Sequence, residues 1–218
     1  MRTTQRLNGL KKWITRELCQ GRIMKAPAPD FDITKMTKQE PHCYVGWEPT
    51  RPDFTGRLEP DPASVCPGIL VMPNPSRGKF MEEKRFDRYN NVHRPKELGQ
   101  SLAISILFKV YEPGVRLPGF VESAGSEEGT DMSLLMEGTE EGLFTLFNWM
   151  DDCREKLLGQ KAIPETDLLV DEESLVYSLY TDQSYVVDKR PIYYGFVNVE
   201  FGCYAEEGVN SQVEDLLK

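Results

Sequence analysis

The run "SLAISILFKVY" (101–111) constrains this chain more than any other stretch. Leu102, Ile104, Ile106, Phe108 and Val110 alternate with Ala103, Ser105, Leu107 and Lys109. A period of two belongs to a β-strand, whose successive side chains point to opposite faces. The run therefore predicts a long strand with one wholly apolar face against a core. "PIYYGFVNVEFGCY" (191–204) repeats the pattern, with Tyr193, Val197, Val199, Phe201 and Cys203 on one face and Asn198 and Glu200 on the other. "GILVM" (68–72) is apolar throughout and of buried-strand length, and Pro73 and Pro75 stop it. "CYVGW" (43–47) and the alternating "SLVYSLY" (174–180) read as two further strands.

Two segments carry the helical period that can cover such a sheet. Leu7, Leu10, Ile14 and Leu18 predict a helix over 4–20, with Trp13 beside the stripe. Thr3 or Thr4 is the expected cap and Gly21 the expected stop, while Gly9 costs the helix up to ~1 kcal/mol relative to Ala. A second helix is predicted over 139–158, its face traced by Leu143, Phe147, Met150, Cys153 or Arg154, and Leu157, and widened by Leu146 and Leu158. Thr139 is its expected N-cap, Glu140 and Glu141 favour its first turn, Arg154 and Lys156 favour its other end, and Gly159 is the expected close. Residues 25–39 read as a proline-marked loop. Pro49, Pro52, Pro60, Pro62 and Pro67 rule out long elements between 48 and 67, and "GSEEGTDMSLLMEG" (125–138) reads as an acidic loop. The expected fold is α+β: a mostly antiparallel sheet packed by two helices, with long loops. One domain is expected over 1–204, with insertions at 22–42, 48–67, 76–100 and 112–138. A polar tail follows at 205–218, with a short helix possible at "SQVEDLLK".

A chain of 218 residues can bury a full core without metals or disulfides. Its net charge of −9 argues against nucleic-acid or acidic-membrane binding by the surface as a whole. No apolar run approaches the ~18 residues of a membrane span. The first residues lack an apolar signal-peptide core, so a cytoplasmic protein, or one built into an assembly there, is expected. Five cysteines, Cys19, Cys43, Cys66, Cys153 and Cys203, are odd in number and show no C-x-x-C spacing, which fits separate reduced thiols. His42 and Cys43 are neighbours in a strand and point to opposite faces, so they do not form a nucleophile and its base. With His93 the only other histidine, a zinc site lacks ligands. No phosphate-loop, dinucleotide, zinc-protease or nucleophile-elbow motif is present, and no cofactor is expected.

One stretch breaks the acidic pattern. "SRGKFMEEKRFDRYNNVHRPK" (76–96) holds seven basic residues against three acids and lies between two strands. Asp87, Asn90, Asn91 and His93 within it read as turn chemistry before catalysis. Its charge admits a nucleic-acid-binding module whose affinity falls steeply with salt. It equally admits an arm that grips an acidic protein neighbour through Arg77, Lys79, Lys84, Arg85 and Arg88. The last two strands are crowded with aromatics, among them Tyr177, Tyr193, Tyr194, Phe196 and Phe201. Alternation turns about half of these away from the helices. There they either line loops or, as expected for Tyr194 and Phe196, form a subunit interface.

The order of these elements carries a resemblance. An amphipathic helix leads into "CYVGW" and "PGILVM", and a long charged connection leads to "SLAISILFKVY". The helix "GLFTLFNWMDDCREKLL" follows, and "SLVYSLY" and "RPIYYGFVNVEFGCY" close the chain. Over roughly 4–204 this resembles the tail terminator (tail completion) proteins of long-tailed bacteriophages and related tail-like particles. The long loops at 25–39, 48–67 and 119–138 depart from compact members of that family. The resemblance implies a homo-oligomeric ring, usually a hexamer, that caps the tail tube, ends its growth and joins the tail to the head connector. Its implied partners are the tail tube protein, the neck or connector protein and, in contractile particles, the sheath; DNA only passes through the lumen. It implies a virion structural protein assembled in a host cytoplasm, with no catalytic residue, metal, cofactor or membrane role. Another head–tail connector protein, or an enzyme such as a nuclease or thiol hydrolase using His93 and Cys43, are the alternatives.

Overall fold

A computed structural model of the chain describes residues 2–28, 36–52, 55–74, 99–113, 140–179, 181–182, 185–186 and 191–204. Two 13-residue strands form its spine: β7 (Gly99–Tyr111) and β12 (Ile192–Tyr204) pair antiparallel along their whole length. β6 (Gly68–Pro73) runs antiparallel on the other side of β7, and β3 (His42–Val45) lies parallel to β6. The free side of β12 takes two short strands, β8 (Leu168–Val170) against 201–203 and β9 (Val176–Leu179) against 195–198. The result is a six-stranded, mostly antiparallel sheet of an α+β fold, as the patterning predicts. The parallel pair exists because the chain from β3 to β6 crosses over through 22 residues rather than turning back at once.

One face of this sheet is packed by two helices. α1 (Thr3–Ile14) continues through a π-turn (Thr15–Cys19) and ends where Gly21 adopts φ +77°. Arg2, not Thr3 or Thr4, takes the cap position; its backbone N–H donates to Gln5 Oε1, and Thr3 already has helical geometry. α3 (Glu140–Gln160) follows β7, the short helix α2 (Pro62–Val65) lying before β6. It runs along β12, from Gly142 against Tyr193 to Leu146 and Met150 against Gly195. Its buried stripe is Leu146, Trp149, Met150, Cys153 and Leu157, while Leu143 and Phe147 are half-buried and Arg154 is exposed. The predicted stripe was thus rotated by part of a turn, and Trp149 was its missing centre. Phe108 from β7 meets Trp149 edge to face at 5.2 Å, a contact worth ~0.5–1.5 kcal/mol beyond the area it buries. The Trp149 indole donates to Leu18 O at 3.0 Å, fastening α3 to the π-turn.

Gly159 does not close α3. The helix runs on to Gln160, whose side chain accepts from the Trp13 indole N–H, and Lys161 (φ +55°) makes the left-handed turn instead. A tertiary hydrogen bond overrides the local stop signal. In consequence the last turn of α3 carries no basic residue, and Lys156 pairs with Glu17 across the helices rather than serving the dipole.

The segment 25–39 is not all loop. β1 (Met24–Pro27) and β2 (Met36–Gln39) pair antiparallel, and Met24, Ala26 and Ala28 are buried, with β1 packed beside β7. Lys25 reaches the nearly buried Glu112 at 2.5 Å there. Between β3 and β6 the prolines leave only short elements, the β4 (Thr50–Pro52) and β5 (Leu58–Pro60) pair and α2. β10 (Thr181–Asp182) and β11 (Tyr185–Val186) form a third small ladder. Strand β9 begins at Val176, because 172–174 form a 3₁₀ turn capped by Asp171. The expectations for the acidic loop, the Thr139 cap, the basic segment and the tail at 205–218 fall outside the described residues.

Candidate functional site

The face of the sheet turned away from the helices holds the described residues predicted to act in recognition. The register gives its rows directly, since partners across a ladder share a face. His42, Gly68, Lys109 and Tyr194 form one row. Tyr44, Leu70, Leu107 and Phe196 form the next, crossing four strands. Met72, Ser105, Asn198 and Val176 form the third. Tyr194 and Phe196 therefore lie on one face, two residues apart, and both are half-buried. The middle row is an apolar band bounded by polar groups. On one side of it the Ser105 hydroxyl donates to Asn198 Oδ1 and accepts from Asn74 Nδ2 at 2.7 Å.

On the other side, the chain after β3 folds over the first row. Lys109, almost fully buried, donates to the equally buried carboxylate of Glu48 and lies 5.8 Å from the Tyr194 ring centre. Charge taken out of water is tolerated only when paired this closely. Tyr44 donates its hydroxyl to Ser64 O at 3.1 Å, and burial, then Glu48 and Asp61, raise its pKa. Glu48 and Ser64 thus hold the ends of the β4–β5 segment against the sheet.

Both edges of the sheet expose large apolar side chains. Beside β3, Trp47 is 72% exposed after the positive-φ Gly46, and Leu58 of β5 is 71% exposed. Beside β12, Val176 of β9 is 58% exposed, with Tyr177 and Leu169 partly so. The exposure of Trp47, Leu58 and Val176 is not foreshadowed by the sequence patterning. A tryptophan placed just after a strand-ending glycine was the available signal for the first.

Arg77, Lys79, Lys84, Arg85 and Arg88 lie outside the described residues, as does His93. The strands their segment joins are antiparallel neighbours, and Asn74 N–H still donates to Ala103 O at 2.9 Å where β6 ends. The five cysteines are all free and buried. Burial pushes the Cys19 and Cys43 thiols up to about 12 and raises those of Cys66, Cys153 and Cys203 as well. A thiol so desolvated is a poor nucleophile. His42 is exposed on β3 while Cys43 faces the core, the opposite-face arrangement expected of strand neighbours. Among the described residues no three His, Cys, Asp or Glu side chains gather as a metal site. None of the described helices is long and apolar enough to cross a membrane. On the helix side, a shallow depression is lined by Glu17, Arg22, Asp152 and Lys156, which pair with one another as Arg22–Asp152 and Lys156–Glu17. No protein-family model, no curated protein and no solved structure matches this chain.

Proposed function

We propose that this chain is a structural protein of a tail terminator type. In this reading it forms a ring, most simply a hexamer, on the end of a tail tube. The ring ends tube growth and joins the tail to the head connector, and in a contractile particle it also meets the sheath. DNA passes through its lumen, and the chain has no catalytic role. The observation that carries the reading is the division of the sheet. Two helices cover one face, while the other carries an apolar row across β3, β6, β7 and β12 in which Tyr44, Leu107 and Phe196 are only half-buried. Aromatic side chains ringed by polar groups are what the centre of a protein–protein contact requires. The order of sequence elements supplies the rest of the support.

The basic residues Arg77, Lys79, Lys84, Arg85 and Arg88 keep their proposed role of gripping an acidic neighbour. Charge there sets register and suppresses wrong pairings more than it adds affinity. Deleting the coding sequence from the particle that carries it should give tails of uncontrolled length that do not join heads. Tails of normal length, joined to heads, would remove the proposal.

A further inference from the structure

The outer side of α3 joins acids to exposed aromatic surface. Glu140, Phe144, Phe147, Asp151 and Glu155 follow one another at intervals of four, three, four and four residues, so they share one side of the helix. That side lies across the helix from the buried stripe of Leu146, Trp149, Cys153 and Leu157. Phe144 is 56% exposed, Phe147 and Asp151 are half-buried, and Glu140 and Glu155 are exposed. None of these three acids has an ion-pair partner among the described residues. Of the two cations of α3, Lys156 is turned to Glu17, which leaves Arg154 alone on the flank. Ile23, 62% exposed, stands beside the same helix, between Arg22, which pairs with Asp152, and Lys25, 3.8 Å from Glu141.

The complement of this surface is in the chain's own sequence. Within the basic segment, residues 84–89 read Lys84, Arg85, Phe86, Asp87, Arg88, Tyr89: three cations interleaved with two aromatics against one acid. We propose that the basic segment of one copy docks on the outer side of α3 in the next copy. Lys84, Arg85 and Arg88 meet Glu140, Asp151 and Glu155, and Phe86 and Tyr89 cover Phe144 and Phe147. The aromatic centre supplies the buried area, and the surrounding charges set the register and exclude wrong pairings. Arm and stripe are different surfaces. The segment returns to the sheet just before Gly99, which pairs with Tyr204, whereas α3 begins over Tyr193 at the other end of β12. A contact between unlike surfaces repeats from copy to copy and either closes a ring or runs on as a filament. The inference rests on the arm's grip of an acidic neighbour stated under the proposed function, and it does not require a tail tube.

Two charge-reversed forms of the full chain test it. One carries Lys84→Glu with Arg85→Glu, the other Asp151→Arg with Glu155→Arg. The second pair adds cations toward the C-terminal half of α3, which the helix dipole favours, so thermal unfolding of both forms should match the unaltered protein. By mass photometry and light scattering the unaltered chain should form multimers that dissociate as salt is raised. Each reversed form alone should be monomeric, its association weakened roughly tenfold or more by like charges brought together. An equimolar mixture of the two should regain multimers, because every arm then faces a stripe of opposite charge. Reversed forms that assemble like the unaltered chain, or a mixture that stays monomeric, would overturn the contact. So would assembly that survives reversal of the stripe but not of the arm, which would put the arm on a different acidic partner, nucleic acid included. An unaltered chain that is monomeric at every concentration reached would also overturn it. Capping of tubes that is unchanged by reversal of the stripe would keep the ring and remove this contact. Multimers that obey the mixing rule but leave tube growth unchanged would uphold the contact and remove the cap.

Discussion

Gly9 looks like a defect in α1, and replacing it with alanine should lower stability rather than raise it. In an exposed helix interior Gly→Ala adds up to ~1 kcal/mol. Here a Cβ on residue 9 would lie 2.2 Å from Thr166 Cγ2. That methyl cannot swing aside easily. The Thr166 hydroxyl donates to Ile163 O at 2.7 Å and accepts from Leu168 N–H at 3.2 Å, which fixes its rotamer. The preceding residue, Glu165, already has φ +61°, so the turn has little backbone freedom to offer. Forcing a methyl into a packed contact costs about 1–3 kcal/mol. Net of the helix term, Gly9→Ala should destabilise by up to roughly 2 kcal/mol. Thr166→Ser removes the obstructing methyl and keeps the hydroxyl. In that background Gly9→Ala should become neutral or stabilising. Urea unfolding of the four members of this cycle measures the coupling. A Gly9→Ala protein that is more stable than the parent, or one equally destabilised in the Thr166→Ser background, would refute the close-approach argument.

The Arg6–Asp167 pair, bonded through Nε at 2.8 Å and Nη2 at 2.6 Å, gives an acid-side prediction. The Arg6 hydrogen bond holds the Asp167 carboxyl below its ordinary value, so its stabilisation is complete above an unfolded pKa of about 3.9 and is lost as pH falls through the folded one. Arg6→Gln should cost about 1.5–3 kcal/mol near neutrality and flatten the fall of stability in acid, as read from urea midpoints across pH. Removing one half of the buried Lys109–Glu48 pair, as Lys109→Met, should cost about 3–5 kcal/mol in thermal or urea unfolding, with Glu48→Leu in the same chain recovering much of it. Gly142→Ala should destabilise more than Gly195→Ala. A Cβ at 142 meets the Tyr193 ring at 2.4 Å, whereas one at 195 meets the flexible Met150 thioether at 2.5 Å; the two unfolding midpoints decide this. All five thiols should resist a disulfide reagent in the native protein and react together in denaturant, because each is buried.

The long strands were legible because one side of each is in continuous contact with the core. Five alternate apolar positions from Leu102 to Val110 decide which face of β7 meets the core. What the sequence concealed depends on contacts distant in the chain. Gln160 extends α3 past Gly159 because Trp13, 147 residues away, holds it. β1 is a strand because Ala26 and Ala28 fit beside β7, a fit that two small residues among prolines and polar groups do not announce. β8 is three residues long and is defined by its pairing with 201–203, too short to show a period. In the candidate site, alternation correctly placed Tyr194 and Phe196 away from the helices. The rest of their row comes from register, which no single strand encodes.

The proposed role is to cap a tube by forming a ring on it. Negative-stain imaging of purified protein added to growing tail tubes tests it most directly. A capping ring should appear as a ring of density at one end of each tube, and tubes should stop lengthening once it is bound. Bare tube ends, with growth continuing at the rate seen without the protein, would contradict it.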